Sequence, residues 1–221
     1  LWEKTAENTI RLLESMRESG ESAYLAKKKA QGHGVRYGEG FIAVPMHDTE
    51  EKIWSLQKIY DDDATPEWLQ KQGRNKDFLK GGKKKGCFHT IGQLEGAAEA
   101  YVAEGYATGA SIHEATGKPV IVAFDAGNLE PVIAAIRKKY PELALTIGGD
   151  DDVWKPENGN PGREKAEAAA KKHRCGVIFP VFTEAMLETK PKDWNDLHCL
   201  AGLEEVRRQL EETQEEQSAG E

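Results

Sequence analysis

The 221 residues, 38% hydrophobic and 31% charged, predict a globular, soluble protein with one hydrophobic core, or with a domain and a smaller subdomain. No apolar run approaches the roughly 20 residues that cross a bilayer, and the N-terminus lacks a signal-peptide pattern, so we expect a cytoplasmic protein without a membrane partner. Cys87, Cys175 and Cys199 form no CxxC pair, which excludes a disulfide framework and a zinc finger. Because the chain starts at Leu1 instead of Met, we expect a piece of a longer protein.

The N-terminal part of the chain predicts a small α+β unit. An amphipathic helix is expected to end near Gly20, and a second short helix spans residues 21–30. The runs FIAVPM and KIWSLQKIY, separated by the polar HDTEE, predict a β-hairpin, and DFLKGG and GCFHTIG are expected to extend its sheet. The predicted apolar face of the first helix consists of Trp2, Ala6, Ile10, Leu13 and Met16.

From Gly92 onward, apolar strand-like runs alternate with helical segments. The runs AYVAEG, PVIVAFD, LALTIGG and CGVIFPVF are nearly continuously apolar, as expected for a parallel sheet with helices on both faces. Right-handed crossovers should link these strands. We therefore predict an α/β unit that begins near residues 92–98, followed by a mostly acidic tail that frays at its end.

Two runs of three aspartates differ in their sequence context. Asp61–Asp63 precede Thr65 and Pro66 between predicted strands and are interpreted as a solvated turn. Asp150–Asp152 follow a predicted parallel strand, where a solvated turn and a metal site both fit. Glu104 also follows a strand, although an acid at a helix N-terminus is an equally good interpretation of it.

Carboxylates at several strand ends would converge at one edge of a parallel sheet. The candidates are Glu104, Asp125 and Asp150–Asp152. Such groups repel one another unless a cation neutralises them. Mg²⁺ is the expected ion, because it prefers oxygen ligands and commonly combines one or two carboxylates with waters and substrate phosphates.

A basic segment contrasts with the acidic character of the whole chain. The net charge of −8 argues against a polyanionic partner, but residues 71–85 carry seven basic side chains and the single acid Asp77. This segment could bind a polyanion, and an ordinary solvated hairpin is the alternative. The residues considered for nucleotide or DNA binding are Arg74, Lys76, Lys80, Lys83, Lys84 and Lys85.

Other kinds of site are disfavoured. The histidines show no HxxxH or HExxH spacing, and no glycine-rich stretch matches GxxxxGK[ST], so neither a zinc hydrolase nor an ATPase is expected. Cys87 and His89, two positions apart on a strand, are interpreted as one core face and not as a nucleophile with its base. Asn128 is predicted to cap the helix LEPVIAAIRKK.

The segment YVAEGYATGASI, followed by GGDDD and the helix GREKAEAAA, resembles a Toprim domain, a fold shared by bacterial-type primases, topoisomerases and certain nucleases. Two further segments, FLKGGKKKGCFHTIG and KDWNDL, resemble the catalytic cores of primase-like proteins of conjugative plasmids, phages and integrated elements. This sequence departs from the family's pattern after GGDDD, where VWKPENGN precedes the helix and the family usually continues almost directly with RAG.

The resemblance implies roles for particular acids. Glu104 would be a catalytic residue, acting as metal ligand or general base. Asp150 and Asp152 would form the catalytic D-x-D that holds Mg²⁺ or Mn²⁺. Asp193 and Asp196, in KDWNDL, would complete the metal site.

The implied architecture is α/β, with an α+β subdomain over residues 1–94, a Toprim domain over 95–205 and an acidic tail over 206–221. The implied function is primer synthesis on single-stranded DNA from nucleoside triphosphates by metal-dependent nucleotidyl transfer, with a helicase or zinc-binding module in the parent protein. A Toprim nuclease, or an inactive module that binds single-stranded DNA, is the alternative. A topoisomerase is disfavoured because no tyrosine-bearing strand-passage domain fits in this length.

Overall fold

The computed structural model describes residues 2–151, 154 and 159–219. Asp152, one of the predicted metal ligands, therefore lies outside the described residues. The chain divides into two compact units, Leu1–His89 and Thr90–Glu221, a few residues before the predicted boundary. Among the described helices, none is long and apolar enough to cross a membrane.

The first unit combines short helices with an antiparallel sheet. Its helices are α1 (Trp2–Glu14), α2 (Ala23–Lys27) and α3 (Glu67–Gln70), with a short 3-10 helix over Asp62–Ala64. Its strands are β1 (Arg36–Gly38), β2 (Phe41–His47), β3 (Ile53–Tyr60) and β4 (Lys76–Phe78). The strands lie in the order β1-β2-β3-β4, and each neighbouring pair is antiparallel.

The predicted hairpin is formed by β2 and β3, which pair from Phe41 opposite Tyr60 to His47 opposite Ile53. Leu13 of α1 packs with Ala43 and Leu56 of this hairpin in a buried apolar cluster. The helix therefore covers one face of the sheet, as its amphipathic pattern predicts.

The buried face of α1 differs from the predicted one. Trp2 and Ile10 are 55% and 40% exposed. The buried residues of this helix are Thr5, Ala6, Thr9 and Leu13. The hydroxyl of Thr9 donates to the carbonyl oxygen of Thr5 at 2.8 Å, so this polar group is buried without losing its hydrogen bond.

Two other predictions for the first unit are only partly correct. The segment GCFHTIG continues the antiparallel sheet through a bridge between Phe88 and His47, but its residues His89–Ile91 form strand β5 of the second sheet. Asp61 is not solvated: it is 9% exposed, and its carboxylate accepts hydrogen bonds from Ser22 Oγ at 3.0 Å and from the backbone N–H of Tyr24 at 2.7 Å. The first aspartate triplet thus begins with a buried residue that fixes the start of α2.

The second unit alternates strands and helices. Its further strands are β6 (Glu99–Ala103), β7 (Val120–Val122), β8 (Ala144–Gly148) and β9 (Gly176–Ile178). Its helices are α4 (Tyr106–Thr116), α5 (Ala126–Lys139), α6 (Pro161–His173), α7 (Glu184–Leu187), α8 (Trp194–Ala201) and α9 (Leu203–Ala219). The sheet has the order β5-β7-β6-β8-β9, in which β6 pairs parallel with β7 and β8, and β8 with β9.

Helices cover both faces of this parallel sheet. Helix α4 leads from β6 to β7, whereas α5 leads back past β6 to β8 on its other side. Right-handed crossovers in opposite directions place the two helices on opposite faces. In agreement, α4 packs with α8 and α9, and α5 packs with α6. The predicted α/β fold is confirmed.

Residues 206–219 belong to helix α9. Val206 and Leu210 of α9 are fully buried. The amide of Gln209 exchanges two hydrogen bonds with the backbone of Val181, each of 2.9 Å. The first turns of the segment predicted as an acidic tail are therefore packed against the domain.

Candidate active site

The strand order places two predicted acids at neighbouring strand ends. From β6 the chain continues to β7 on one side of β6 and then to β8 on the other side. The order of the strands in the sheet therefore reverses between β6 and β8. Open parallel sheets bind ligands at the carboxyl ends of strands at such a reversal. Ala103, which precedes Glu104, is aligned with Gly148, which precedes Asp150 by two residues. Glu104 and Asp150 therefore flank the expected ligand position.

One oxygen of each of these carboxylates is buried. Glu104 Oε1 and Asp150 Oδ1 have essentially no contact with solvent. A buried carboxylate oxygen is costly to keep charged without a compensating partner, and a bound divalent cation is one such partner. Hard oxygen donors of this kind suit Mg²⁺ or Mn²⁺.

The central aspartate of the triplet has a different role. Asp151 forms an ion pair with Arg163 of α6 at 2.9 Å and also accepts a hydrogen bond from the amide of Asn160. Asn160 precedes α6 and caps it, accepting from the backbone N–H of Arg163 at 3.4 Å. Asp151 thus ties the start of the β8–α6 connection to the N-terminal end of α6.

The acids of KDWNDL form a helix cap. Asp193 precedes α8, and its Oδ1 accepts from the backbone N–H of Asp196 at 2.9 Å. Asp196 Oδ2 in turn accepts from the backbone N–H of Lys192 at 3.0 Å. This reciprocal arrangement resembles a capping box and satisfies two backbone N–H groups at the helix start.

The same segment is attached to the β8–α6 connection. The backbone N–H of Asp151 donates to the carbonyl oxygen of Lys192 at 2.7 Å, and Trp154 Nε1 donates to the carbonyl oxygen of Pro191 at 2.7 Å. Trp194 is fully buried, and its indole would lie 3.3 Å from a Cβ atom added at Gly148. The KDWNDL segment therefore lies beside the strand end that carries Asp150.

A buried polar cluster connects α8 to α4, and sequence reasoning did not identify it. Ser111 Oγ lies 3.0 Å from His198 Nδ1 and accepts a hydrogen bond from the amide of Asn195, also at 3.0 Å. Ser111 and Asn195 are fully buried, and His198 is 6% exposed. The only sequence signal for this cluster is the position of Asn195 between the two acids of KDWNDL.

The third strand end carries a helix start. Asp125 is the N-cap residue of α5, which begins three positions before the predicted start at Leu129. Asn128 is not the cap: its buried amide donates to the carbonyl oxygen of Ala123 at 2.9 Å. This bond fixes the end of β7 against the first turn of the helix.

Within the described residues, no group of three or more His, Cys, Asp or Glu side chains is close enough to hold a metal ion. Asp152 is not among those residues. The structure thus brings Glu104 and Asp150 to adjacent strand ends and uses Asp193 and Asp196 in a helix cap.

The predicted basic residues lie in the first unit, and several are placed over aromatic rings. Lys83 Nζ lies 4.4 Å from the ring centre of Trp54, which Lys52 Nζ also approaches at 4.0 Å. Lys84 Nζ lies 4.9 Å from the ring centre of Phe78. Lys76 is in β4, and Arg74, Lys80 and Lys85 lie in the segments on either side of this strand.

The pair Cys87 and His89 is poorly suited to act as a nucleophile with its base at neutral pH. Both are buried. Burial raises the pKa of the Cys87 thiol to about 11. Burial also lowers the pKa of His89 to about 4, although a hydrogen bond with the carbonyl oxygen of His33 at 2.8 Å opposes the shift. The core interpretation of this pair agrees with their burial.

Residues 99–204 match the family model of the Toprim domain, and the chain contains a Toprim domain. The recognition of this domain from the YVAEG and GGDDD segments is confirmed. The chain is 41% identical over 155 residues to a DNA primase TraC of Escherichia coli, an alignment that covers 68% of the chain and 10% of that relative. The chain therefore spans about a tenth of the length of this curated relative.

Two solved structures share the fold. One shows primase domains bound to an RNA/DNA hybrid and dTTP in a bacteriophage T7 lagging-strand DNA polymerase assembly, with a TM-score of 0.53, 19% identity and coverage of 79% of this chain and 80% of that one. The other is the DnaG primase catalytic domain bound to single-stranded DNA, with a TM-score of 0.51, 12% identity and coverage of 93% and 62%.

Proposed function

We propose that this chain is the catalytic core of a DNA primase that synthesises short primers on single-stranded DNA by metal-dependent nucleotidyl transfer. The main support for this proposal is that Glu104 and Asp150 lie at adjacent strand ends of a Toprim domain, with one oxygen of each carboxylate buried. The identity of 41% to a DNA primase TraC supports primase chemistry over other Toprim activities. We extend the proposal to the replication of a mobile element such as a plasmid or phage.

The proposed reaction is a phosphoryl transfer. A nucleotide 3′-hydroxyl oxygen bonds to the α-phosphorus of a nucleoside triphosphate, the bond from that phosphorus to the oxygen bridging the β-phosphate breaks, and pyrophosphate leaves. Glu104 ligates the ion or accepts the proton that the hydroxyl loses. Asp150 and Asp152 hold Mg²⁺ or Mn²⁺, and Asp193 and Asp196 complete the acidic surroundings. The bound ion supplies neutralisation of the phosphate charge.

The basic segment is proposed to contact the phosphates of template or nucleotide. Lys83 and Lys84 lie over the rings of Trp54 and Phe78. Such contacts hold ammonium groups beside aromatic surfaces, a combination that also suits single-stranded nucleic acid. Arg74, Lys76, Lys80 and Lys85 would add to a sequence-independent attraction. A helicase or zinc-binding module in the parent protein is proposed as a further partner.

The test is incubation of the chain, and of the longer parent protein, with single-stranded DNA, Mg²⁺ and labelled nucleotides. We expect primers from the wild type and a reduction of roughly 10²–10⁴-fold in turnover for Glu104→Gln, the range typical of losing general acid or base assistance. Glu95→Gln removes an exposed acid of the same unit and is the matched control.

Other results would replace the proposal. Nicking of the DNA without primer synthesis, abolished by Glu104→Gln, would indicate a Toprim nuclease. Binding of single-stranded DNA by the parent protein with neither primers nor nicks would indicate an inactive binding module.

A further inference from the structure

A cavity of about 480 Å³ lies in the second unit, where β9 ends. Pockets for small molecules commonly measure roughly 300–1,000 Å³ and are lined mainly by apolar and aromatic side chains. The lining of this cavity fits that description. Its side chains include Trp154, Arg163, Phe179, Val181, Phe182 and Leu187.

The cavity adjoins the strand end that carries Asp150. The ring of Phe179 packs so tightly on Gly149 that a Cβ atom at this position would collide with it. The backbone N–H of Gly149 donates to the carbonyl oxygen of Ile178 at 2.9 Å, which fixes β8 and β9 in register beside the cavity. A ligand whose charged end lies at Asp150 can therefore extend into an apolar space along the same sheet edge.

Arg163 provides a planar cationic surface in the cavity. Its guanidinium carbon lies 4.1 Å from the ring centre of Phe179, and its nitrogens form ion pairs with Asp151 at 2.9 Å and Glu167 at 3.0 Å. The side chain is still 41% exposed. Nucleobases stack on arginine planes as well as on aromatic rings, and a guanidinium held at three points is ordered before a base arrives.

The backbone of another lining residue, Val181, is also held in place. Gln209 of α9 hydrogen-bonds both the N–H and the carbonyl oxygen of Val181, each at 2.9 Å. The Val181 side chain is nevertheless 71% exposed. An exposed apolar side chain on an anchored backbone presents a fixed contact surface for a planar apolar ligand.

We propose that this cavity binds the base of the nucleoside triphosphate whose phosphates lie at Glu104 and Asp150. This inference rests on the proposed primase function. The charged side chains among the described lining residues are Asp151 and Arg163, and they pair with each other. The lining side chains thus stack on a base without forming hydrogen bonds to its edge. The cavity therefore accepts all four bases, and the template determines which nucleotide is selected.

The test is calorimetric titration of four ligands: Mg²⁺-ATP, Mg²⁺-CTP, Mg²⁺-tripolyphosphate, which carries no base, and oligo(dT). Val181→Asp places a charge against the stacked base. The affinity for both nucleotides should therefore fall roughly 5- to 100-fold, which is the range expected for losing a base stack. The affinity for tripolyphosphate should not change. Leu187→Asp is a second variant at the same cavity, where the native side chain is 38% exposed. Leu200→Asp changes a 41% exposed leucine on α8 and is the matched control.

The possible outcomes are separable. Unchanged nucleotide affinity in both cavity variants, with tripolyphosphate binding intact, overturns the base pocket and leaves the primase proposal standing. Loss of oligo(dT) binding without loss of nucleotide binding also overturns it and assigns the cavity to the template. A wild-type protein that binds neither the nucleotides nor tripolyphosphate overturns both proposals.

Discussion

The side-chain amide of Asn195 donates a hydrogen bond to Ser111 Oγ over 3.0 Å, joining α8 to α4 in the interior of the second unit. Helix α4 starts directly after Glu104 and Gly105, and α8 starts directly after Asp193. One buried bond thus links the two helices whose starts carry predicted site residues.

Asn195→Ala should destabilise the second unit. The substitution leaves Ser111 without this buried donor and creates a small cavity, so the free energy of unfolding should fall by about 1–3 kcal/mol. Urea denaturation followed by circular dichroism measures this change. Asn8→Ala, at an exposed position of α1, is the control and should change stability by less than about 0.5 kcal/mol. Equal stability of Asn195→Ala and wild type would show that the bond is not needed.

The basic segment should bind single-stranded DNA electrostatically. Replacing Lys83, Lys84 and Lys85 with Ala should weaken binding and reduce the slope of log affinity against log salt by up to about 0.7 for each lost phosphate contact. Fluorescence anisotropy of labelled oligo(dT) over a salt series measures both quantities. The control replaces Lys138, Lys139 and Lys171, which are exposed lysines of α5 and α6. Identical salt slopes for the two triple variants would assign the segment to a solvated hairpin.

Stability should fall in mild acid because of His89. Burial lowers the pKa of this residue from 6.5 to about 4 in the folded protein. Between these two pH values the unfolded chain therefore binds more protons than the folded protein. The stability associated with neutral His89 is fully present above about pH 6.5, and it is lost as the pH falls toward 4. Between pH 7.5 and 5.0 the loss amounts to about 2 kcal/mol.

The measurement is urea denaturation at both pH values for the wild type and His89→Gln. The variant has no imidazole to protonate, so its stability should change less between the two pH values than that of the wild type. The same pH dependence in both proteins would assign the acid sensitivity to other groups.

The parallel half of the fold could be predicted because its strands are buried on both faces. The continuous apolar runs ending at Ala103, Val122 and Gly148 identify strands without knowledge of their partners. The acids that follow them come to one edge, because parallel strands share an end. The positions of Glu104 and Asp150 therefore follow from local pattern and sheet geometry together.

Other features depend on contacts between residues far apart in sequence. Asp61 is buried because Ser22 and Tyr24, some 40 positions earlier, supply its hydrogen-bond donors. The bond from Asn195 to Ser111 spans 84 positions. The three-residue strand β5 joins the second sheet, although its sequence fits either one. Local propensity cannot decide such cases, because tertiary contacts determine which side chains are covered.

The final prediction separates the two aspartate triplets by metal binding. Asp150 follows β8 with one carboxylate oxygen buried, whereas Asp63 is an exposed residue within a short 3-10 helix. Asp150→Asn removes a negative charge from the proposed ion site, and an amide oxygen is a weaker ligand for a hard cation. Calorimetric titration with Mn²⁺ should therefore show at least about tenfold weaker binding for Asp150→Asn.

Asp63→Asn should bind Mn²⁺ with the same affinity as the wild type, and both variants should unfold at the same urea concentration as the wild type. Asp61 is unsuitable as the control, because its buried carboxylate accepts two hydrogen bonds and its replacement would destabilise the first unit. If Mn²⁺ binding were unchanged in Asp150→Asn, or equally weakened in Asp63→Asn, the end of β8 would not be the metal site, and the proposed roles of Asp150 and Asp152 would have to be abandoned.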